Sequence, residues 1–206
     1  MPIPNYLKHL AVFEKQKDTW TCFSIKCPCG CEKFTIYENY LTKEEKALEK
    51  PYYDALAEMY TLDMSRRTTR DENGLQHTWR LLEDGSRKEI IVPARPFFSG
   101  ITSIKIKCVE CGKEHLIFDS RIHGYDGMTS ELTQETLTYE PHFKLKCKNA
   151  VSLQIKIEND ETFEEFLNLT GLDFSEKQYS DSFGWIIIYK VDEKGKKTKI
   201  FDWEAS

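Results

Sequence analysis

Much of this chain alternates apolar and polar residues with a period of two, the signature of half-buried strands. Thr19 to Lys26 (TWTCFSIK) and Glu32 to Asn39 (EKFTIYEN) read as strands on either side of Cys27-Pro28-Cys29-Gly30-Cys31. Gln76 to Glu83 and Ser86 to Val92 form another pair around Asp84-Gly85, a strong hairpin-turn signal. Ile101 to Lys107 and Glu114 to Asp119 flank Cys108-Val109-Glu110-Cys111-Gly112. In the last third His142 to Cys147 and Val151 to Glu158 read as two strands, the second alternating through Val151, Leu153, Ile155 and Ile157. Phe183 to Val191 and Lys196 to Trp203 close as a hairpin around Asp192-Glu193-Lys194-Gly195.

Helical spacing interrupts this β pattern in few places. Thr42 and Glu45 form a capping box, so a short helix starts near Lys43. Pro51 ends that helix and opens a second as its first residue, with Tyr52, Leu56, Met59 and Tyr60 on one buried face. Thr162 and Glu165 repeat the capping box before a stop at Gly171. Thr61 to Gly74 reads as a polar loop, and Gly124 to Glu135 as irregular. The expected class is α+β and β-rich, with antiparallel hairpins and two or three short helices.

Composition narrows the setting. The chain has 206 residues and a formal net charge of −5, which opposes general attraction to nucleic acid or anionic membranes. No stretch reaches the roughly 18 apolar residues of a membrane span, and Met1-Pro2-Ile3-Pro4-Asn5-Tyr6 lacks a signal peptide's basic start. A cytoplasmic location without a membrane partner is expected. Seven cysteines, an odd number, suit a metal site better than a disulfide framework.

Two segments repeat one device. Ile25-Lys26-Cys27-Pro28-Cys29-Gly30 and Ile106-Lys107-Cys108-Val109-Glu110-Cys111-Gly112 each run from Ile-Lys-Cys into a Cys-Gly turn. Zinc takes four ligands in a tetrahedron, and two thiolate knuckles supply them. Cys27, Cys29, Cys108 and Cys111 are therefore the expected ligands of one structural Zn2+. The first knuckle is one residue shorter, which makes Cys31 a rival to Cys29. Aligning the copies on Cys-Gly places Cys29 with Cys111 and Cys31 opposite Lys113, favouring Cys29. Cys22 and Cys147 read as ordinary thiols.

Cys-Pro-Cys-Gly, Cys-x-x-Cys-Gly followed by Leu116-Ile117-Phe118-Asp119, and His123-Gly124-Tyr125-Asp126 together resemble a group of uncharacterised bacterial proteins with paired zinc-ribbon-like Cys knuckles. The likeness extends to Phe183-Gly184-Trp185-Ile186. It implies a zinc-ribbon-like element and carries no activity. The expected organisation is one domain over residues 1–206. Residues 19–39 and 101–119 would form the ribbon element, 40–100 an insertion between the knuckles, and 140–206 further hairpins and a short helix.

Asp119, Arg121, His123, Tyr125 and Asp126 form the most polar, chemically capable stretch and are the candidate binding surface. A hydrolase could use His123 as base with Asp119 or Asp126 orienting it. No nucleophile motif accompanies them, so no catalytic residue is assigned and an enzyme is the less favoured class. Arg66, Arg67 and Arg70, and Lys190, Lys194, Lys196, Lys197 and Lys199, are two basic clusters interleaved with acids, a solvated-surface pattern. The expected function is a zinc-stabilised module that binds another protein, as a regulator or immunity-type inhibitor whose acidity suits a basic partner. A nucleic-acid-associated zinc-ribbon protein and a hydrolase built on Asp119 to Asp126 are the alternatives.

Overall fold

Strands carry most of the regular structure, as the period-two pattern and the aromatic and β-branched residues require. The computed structural model describes residues 3–60, 67–72, 75–124, 132–158, 165, 167, 168, 181 and 183–204. The strands are β1 (Ala11–Lys17), β2 (Trp20–Ile25), β3 (Phe34–Tyr40), β4 (Arg67–Arg70), β5 (Gln76–Leu81), β6 (Arg87–Val92), β7 (Ser103–Cys108), β8 (Glu114–Asp119), β9 (His142–Glu158), β10 (Trp185–Val191) and β11 (Lys197–Glu204). Two helices lie wholly within the described residues, α1 (Lys43–Tyr60) and α2 (Gln134–Thr138), with a 3-10 turn at Asn5–Leu7. No described helix is long and apolar enough to cross a membrane. By internal contacts the chain divides into two compact units: Met1–Asn39 with Ile101–Leu137 and Phe143–Ser206, and Tyr40–Gly100 with Thr138–His142.

The first unit holds an eight-stranded sheet in the order β1-β2-β9-β3-β7-β8, with β10 against β9 and β11 against β10. β1–β2, β2–β9, β9–β10, β10–β11, β3–β7 and β7–β8 are all antiparallel. Alternate residues turn inward, so Phe23, Ile25, Phe34, Ile36, Ile104, Ile106, Ile117, Phe118, Leu153, Ile155, Ile157, Ile186 and Ile188 form one core. Each such side chain, fully buried, contributes roughly 1.5–3 kcal/mol relative to exposure. Cys27, Cys31 and Cys108 lie in the same cluster, so the knuckles grow directly out of the core.

The second unit packs α1 beside the three-stranded sheet β4-β5-β6. Its small core is Met59, Ile90 and Val92, flanked by Tyr52, Ala55 and Leu56. The capping box forms as its residues dictate: Thr42 N–H donates to Glu45 Oε2 at 2.7 Å, and Glu45 N–H donates to Thr42 Oγ1 at 3.2 Å. Glu45 also accepts from the Tyr139 hydroxyl at 2.7 Å.

Several elements differ from the sequence expectation. Pro51 does not divide the helix: α1 runs unbroken through it. The ring removes one backbone donor, and the turns that follow it are held by Tyr52, Leu56 and Met59, which pack with Ile90 and Val92. Arg67–Arg70, within the expected loop, adds β4 to the hairpin edge, where polar residues suit an exposed border. β1 lacks a buried face and so gives no alternation to read, yet it pairs with β2 around a register shift between Phe13 and Lys15. The two strands expected over His142 to Glu158 are one continuous β9. Lys144 and Lys146 of its first half both pair with Glu38 of β3. The helix expected after Thr162 falls almost wholly outside the described residues.

The two knuckles, each flanked by strands, sit differently in the sheet. β7 and β8 do form a hairpin around the second knuckle. The strands on either side of the first, β2 and β3, are separated in the sheet by β9.

Candidate metal centre

Both knuckles fold on a glycine in the left-handed backbone region, which residues bearing a Cβ rarely adopt. Gly30 (φ 98°) returns its N–H to the Cys27 carbonyl at 2.8 Å, and Gly112 (φ 71°) returns its N–H to the Cys108 carbonyl at 3.0 Å. The base of each turn is closed in the same way. Cys27 N–H donates to Cys31 O at 2.8 Å, and Cys108 N–H donates to Lys113 O at 2.9 Å. Cys31 thus occupies the structural place of Lys113. The first turn closes one residue sooner.

The Sγ atoms of Cys27, Cys29, Cys108 and Cys111 all lie within 4.8 Å of one another, an arrangement that can hold a metal ion. Cys27 Sγ is 3.6 Å from Cys111 Sγ, and Cys29 Sγ is 3.6 Å from Cys108 Sγ. Cys27 and Cys108 are buried; Cys29 and Cys111 are exposed. Cys31 is buried outside this group, its thiol engaged with the Lys33 backbone at 3.3–3.4 Å. Cys22 is buried and Cys147 half-buried, and neither joins the cluster.

Electrostatics explain why such a group favours a cation. The Cys111 N–H, against a cost of desolvation, and the Glu110 N–H pull the Cys108 thiol down to about 6. The Cys31 N–H favours the Cys29 thiolate too, but neighbouring Cys27 and burial push this thiol up to about 12. Burial raises Cys27 as well. One negative charge is therefore readily held, whereas further ionisation in the same small space meets repulsion that a bound cation removes. His115 adds a neighbour that sequence reading missed. Its Nε2 lies 3.7 Å from Cys27 Sγ, buried beside the cluster and 5.7 Å from the His9 ring. Desolvation, with His9 and Lys113 nearby, lowers its pKa and favours a neutral ring. The signal available in the sequence was its place in β8 on the same face as Ile117, opposite Ile106.

Two side chains of the Asp119 segment, Asp119 and His123, are turned into the fold. Asp119 is buried; its Oδ1 accepts from the Arg121 N–H at 3.0 Å and Nε–H at 2.9 Å, and its Oδ2 from Nη2 at 2.6 Å. Arg121 also donates from Nη1 to Thr136 O at 3.0 Å. Although burial opposes its ionisation, the Arg121 partners lower the Asp119 pKa. His123 is 7% exposed, stacked on Tyr6 with centroids 3.7 Å apart, and its Nδ1 accepts from Asp119 N–H at 3.0 Å. Burial drives its pKa down to about 4, only partly opposed by Asp119. Of the expected binding surface, Asp119 and His123 are buried, and Arg121 is half-buried against Asp119. Ile122, between them, is exposed. Tyr125 and Asp126 lie outside the described residues.

In comparisons with known proteins, no protein-family model, curated protein or solved structure matches the chain.

Proposed function

We propose that this chain is a zinc-stabilised module that binds another protein, of the regulatory or immunity-inhibitor kind. The observation that carries the reading is the closed set of four thiols. Zinc–sulfur bonds of about 2.3 Å in a tetrahedron give sulfur–sulfur edges of about 3.8 Å, close to the 3.6 Å of both cross-knuckle pairs. Four thiolates leave no coordination position for water, so the ion would support the fold instead of activating a substrate. The ligand set is that of a zinc ribbon, built here on a different strand order from two simple hairpins.

Binding to a basic protein is supported by the net charge of −5, which also disfavours nucleic acid. The hydrolase reading loses support because His123 and Asp119 are turned into the fold. The test is capture of partners on metal-loaded protein at low and high salt, with and without nuclease. The reading predicts a stoichiometric basic protein that high salt releases and that Cys108→Ser fails to retain. Capture that vanishes with nuclease would replace it with a nucleic-acid role.

A further inference from the structure

The four thiols differ in access, and the difference follows a pattern. Cys29 and Cys111 are exposed, while Cys27 and Cys108 are buried. The 3.6 Å contacts join one of each: exposed Cys111 to buried Cys27, and exposed Cys29 to buried Cys108. Both contacts cross from one knuckle to the other, over 84 and 79 positions of sequence. Within the first knuckle, only Pro28 separates Cys27 from Cys29, a spacing that closes a small, rigid ring.

From this geometry we infer that the centre is a thiol-oxidation site in which hydrogen peroxide replaces the metal clip by two cross-knuckle disulfides, Cys27–Cys111 and Cys29–Cys108. The inference rests on the metal reading for its starting state, and its pairing pattern can be tested apart from it. The chemistry balances without a further reactant. The exposed thiolate attacks the peroxide oxygen, the O–O bond breaks, and the departing hydroxide takes a proton to give water. The resulting sulfenic acid is attacked at sulfur by the buried thiolate of the facing knuckle. The S–S bond forms, and hydroxide leaves as a second water after protonation. Each disulfide consumes one hydrogen peroxide, two thiolates and two protons, and the divalent ion leaves when its ligands are gone. The turn before β3 and the β7–β8 hairpin stay tied together by covalent bonds.

The experiment treats metal-loaded wild-type protein with hydrogen peroxide. Released metal is followed with a chromogenic chelator, and disulfides are mapped by mass spectrometry of unreduced digests. Because Cys27 and Cys29 share a peptide, Cys27→Ser/Cys111→Ser and Cys29→Ser/Cys108→Ser are mapped beside it. The expected result is metal release matched by a loss of four thiols, peptides joining the two knuckles, and one surviving cross-knuckle disulfide in each double variant. The oxidised protein should also melt above reduced, metal-stripped protein. A Cys108–Cys111 disulfide, or sulfinic acids without cross-links, would overturn the inference. Metal content is measured before oxidation: protein that carries none yet forms both cross-knuckle bonds refutes the metal reading and the displacement of a clip, and upholds the thiol-oxidation site with its cross-knuckle pairing.

Discussion

Phe34, the first residue of β3, lies directly opposite Cys108, the last residue of β7. This pairing brings two distant knuckles to one place. Val109 N–H then donates to Lys33 O at 3.2 Å, carrying the contact past the ends of both strands. The ligand turns therefore meet because a β ladder ends there.

Phe34→Ala should weaken both fold and metal site. Phe34 is fully buried, and removing such a ring costs about 3–5 kcal/mol. Denaturant unfolding should show that loss, and a chelator should strip metal from the variant faster than from wild type. Equal stripping rates would separate the ladder from the site.

Cys31→Ser should leave metal content intact, because the Cys31 thiol is engaged with the Lys33 backbone outside the four-thiol group. Cys29→Ser should lower metal content and melting temperature together. The centre closes a loop of 79 positions between Cys29 and Cys108, and a clip of that span contributes on the order of 4 kcal/mol by chain-entropy reasoning. Metal analysis and thermal melts of the two variants decide the ligand.

The legible parts of the fold were those where local chemistry and burial agree. The Thr42–Glu45 box, the Gly85 turn and the Val151–Ile157 alternation each encode their own geometry. Aligning the knuckles on Cys-Gly also anticipated that Cys31 occupies the place of Lys113, since both close their turns by the same backbone bond. The insertion of β9 between β2 and β3 could not be read, because strand order depends on partners remote in sequence. The polarity of Asp119, Arg121 and His123 suggested exposure, whereas Asp119 and His123 are buried with hydrogen-bond partners from the same short segment. Nothing local distinguishes the two cases.

His123 should impose a pH dependence on stability. Its folded pKa is about 4, against about 6.5 in an unfolded chain. Its contribution is complete above about pH 6.5 and is lost as pH falls toward 4, because the unfolded chain takes up a proton that the buried ring resists. The full difference is about 3 kcal/mol. Denaturant curves across this range should fall more steeply for wild type than for His123→Asn, which cannot titrate. Parallel curves would contradict the assignment.

Asp119→Asn should cost about 3 kcal/mol, since it leaves the Arg121 guanidinium without its carboxylate in a nearly enclosed site. The loss should be seen in chemical denaturation, with metal content retained by the folded variant.

Thr42→Ala should destabilise the second unit by about 1 kcal/mol through loss of the cap on α1. Amide hydrogen exchange should show faster opening at the start of α1 and unchanged protection in β7 and β8.

The most direct test of the central claim is elemental analysis of the purified, reduced wild-type protein by inductively coupled plasma mass spectrometry. The account predicts about one zinc ion per chain, largely absent from Cys108→Ser prepared in parallel. Wild-type protein that is folded and fully reduced yet carries no bound metal would contradict it.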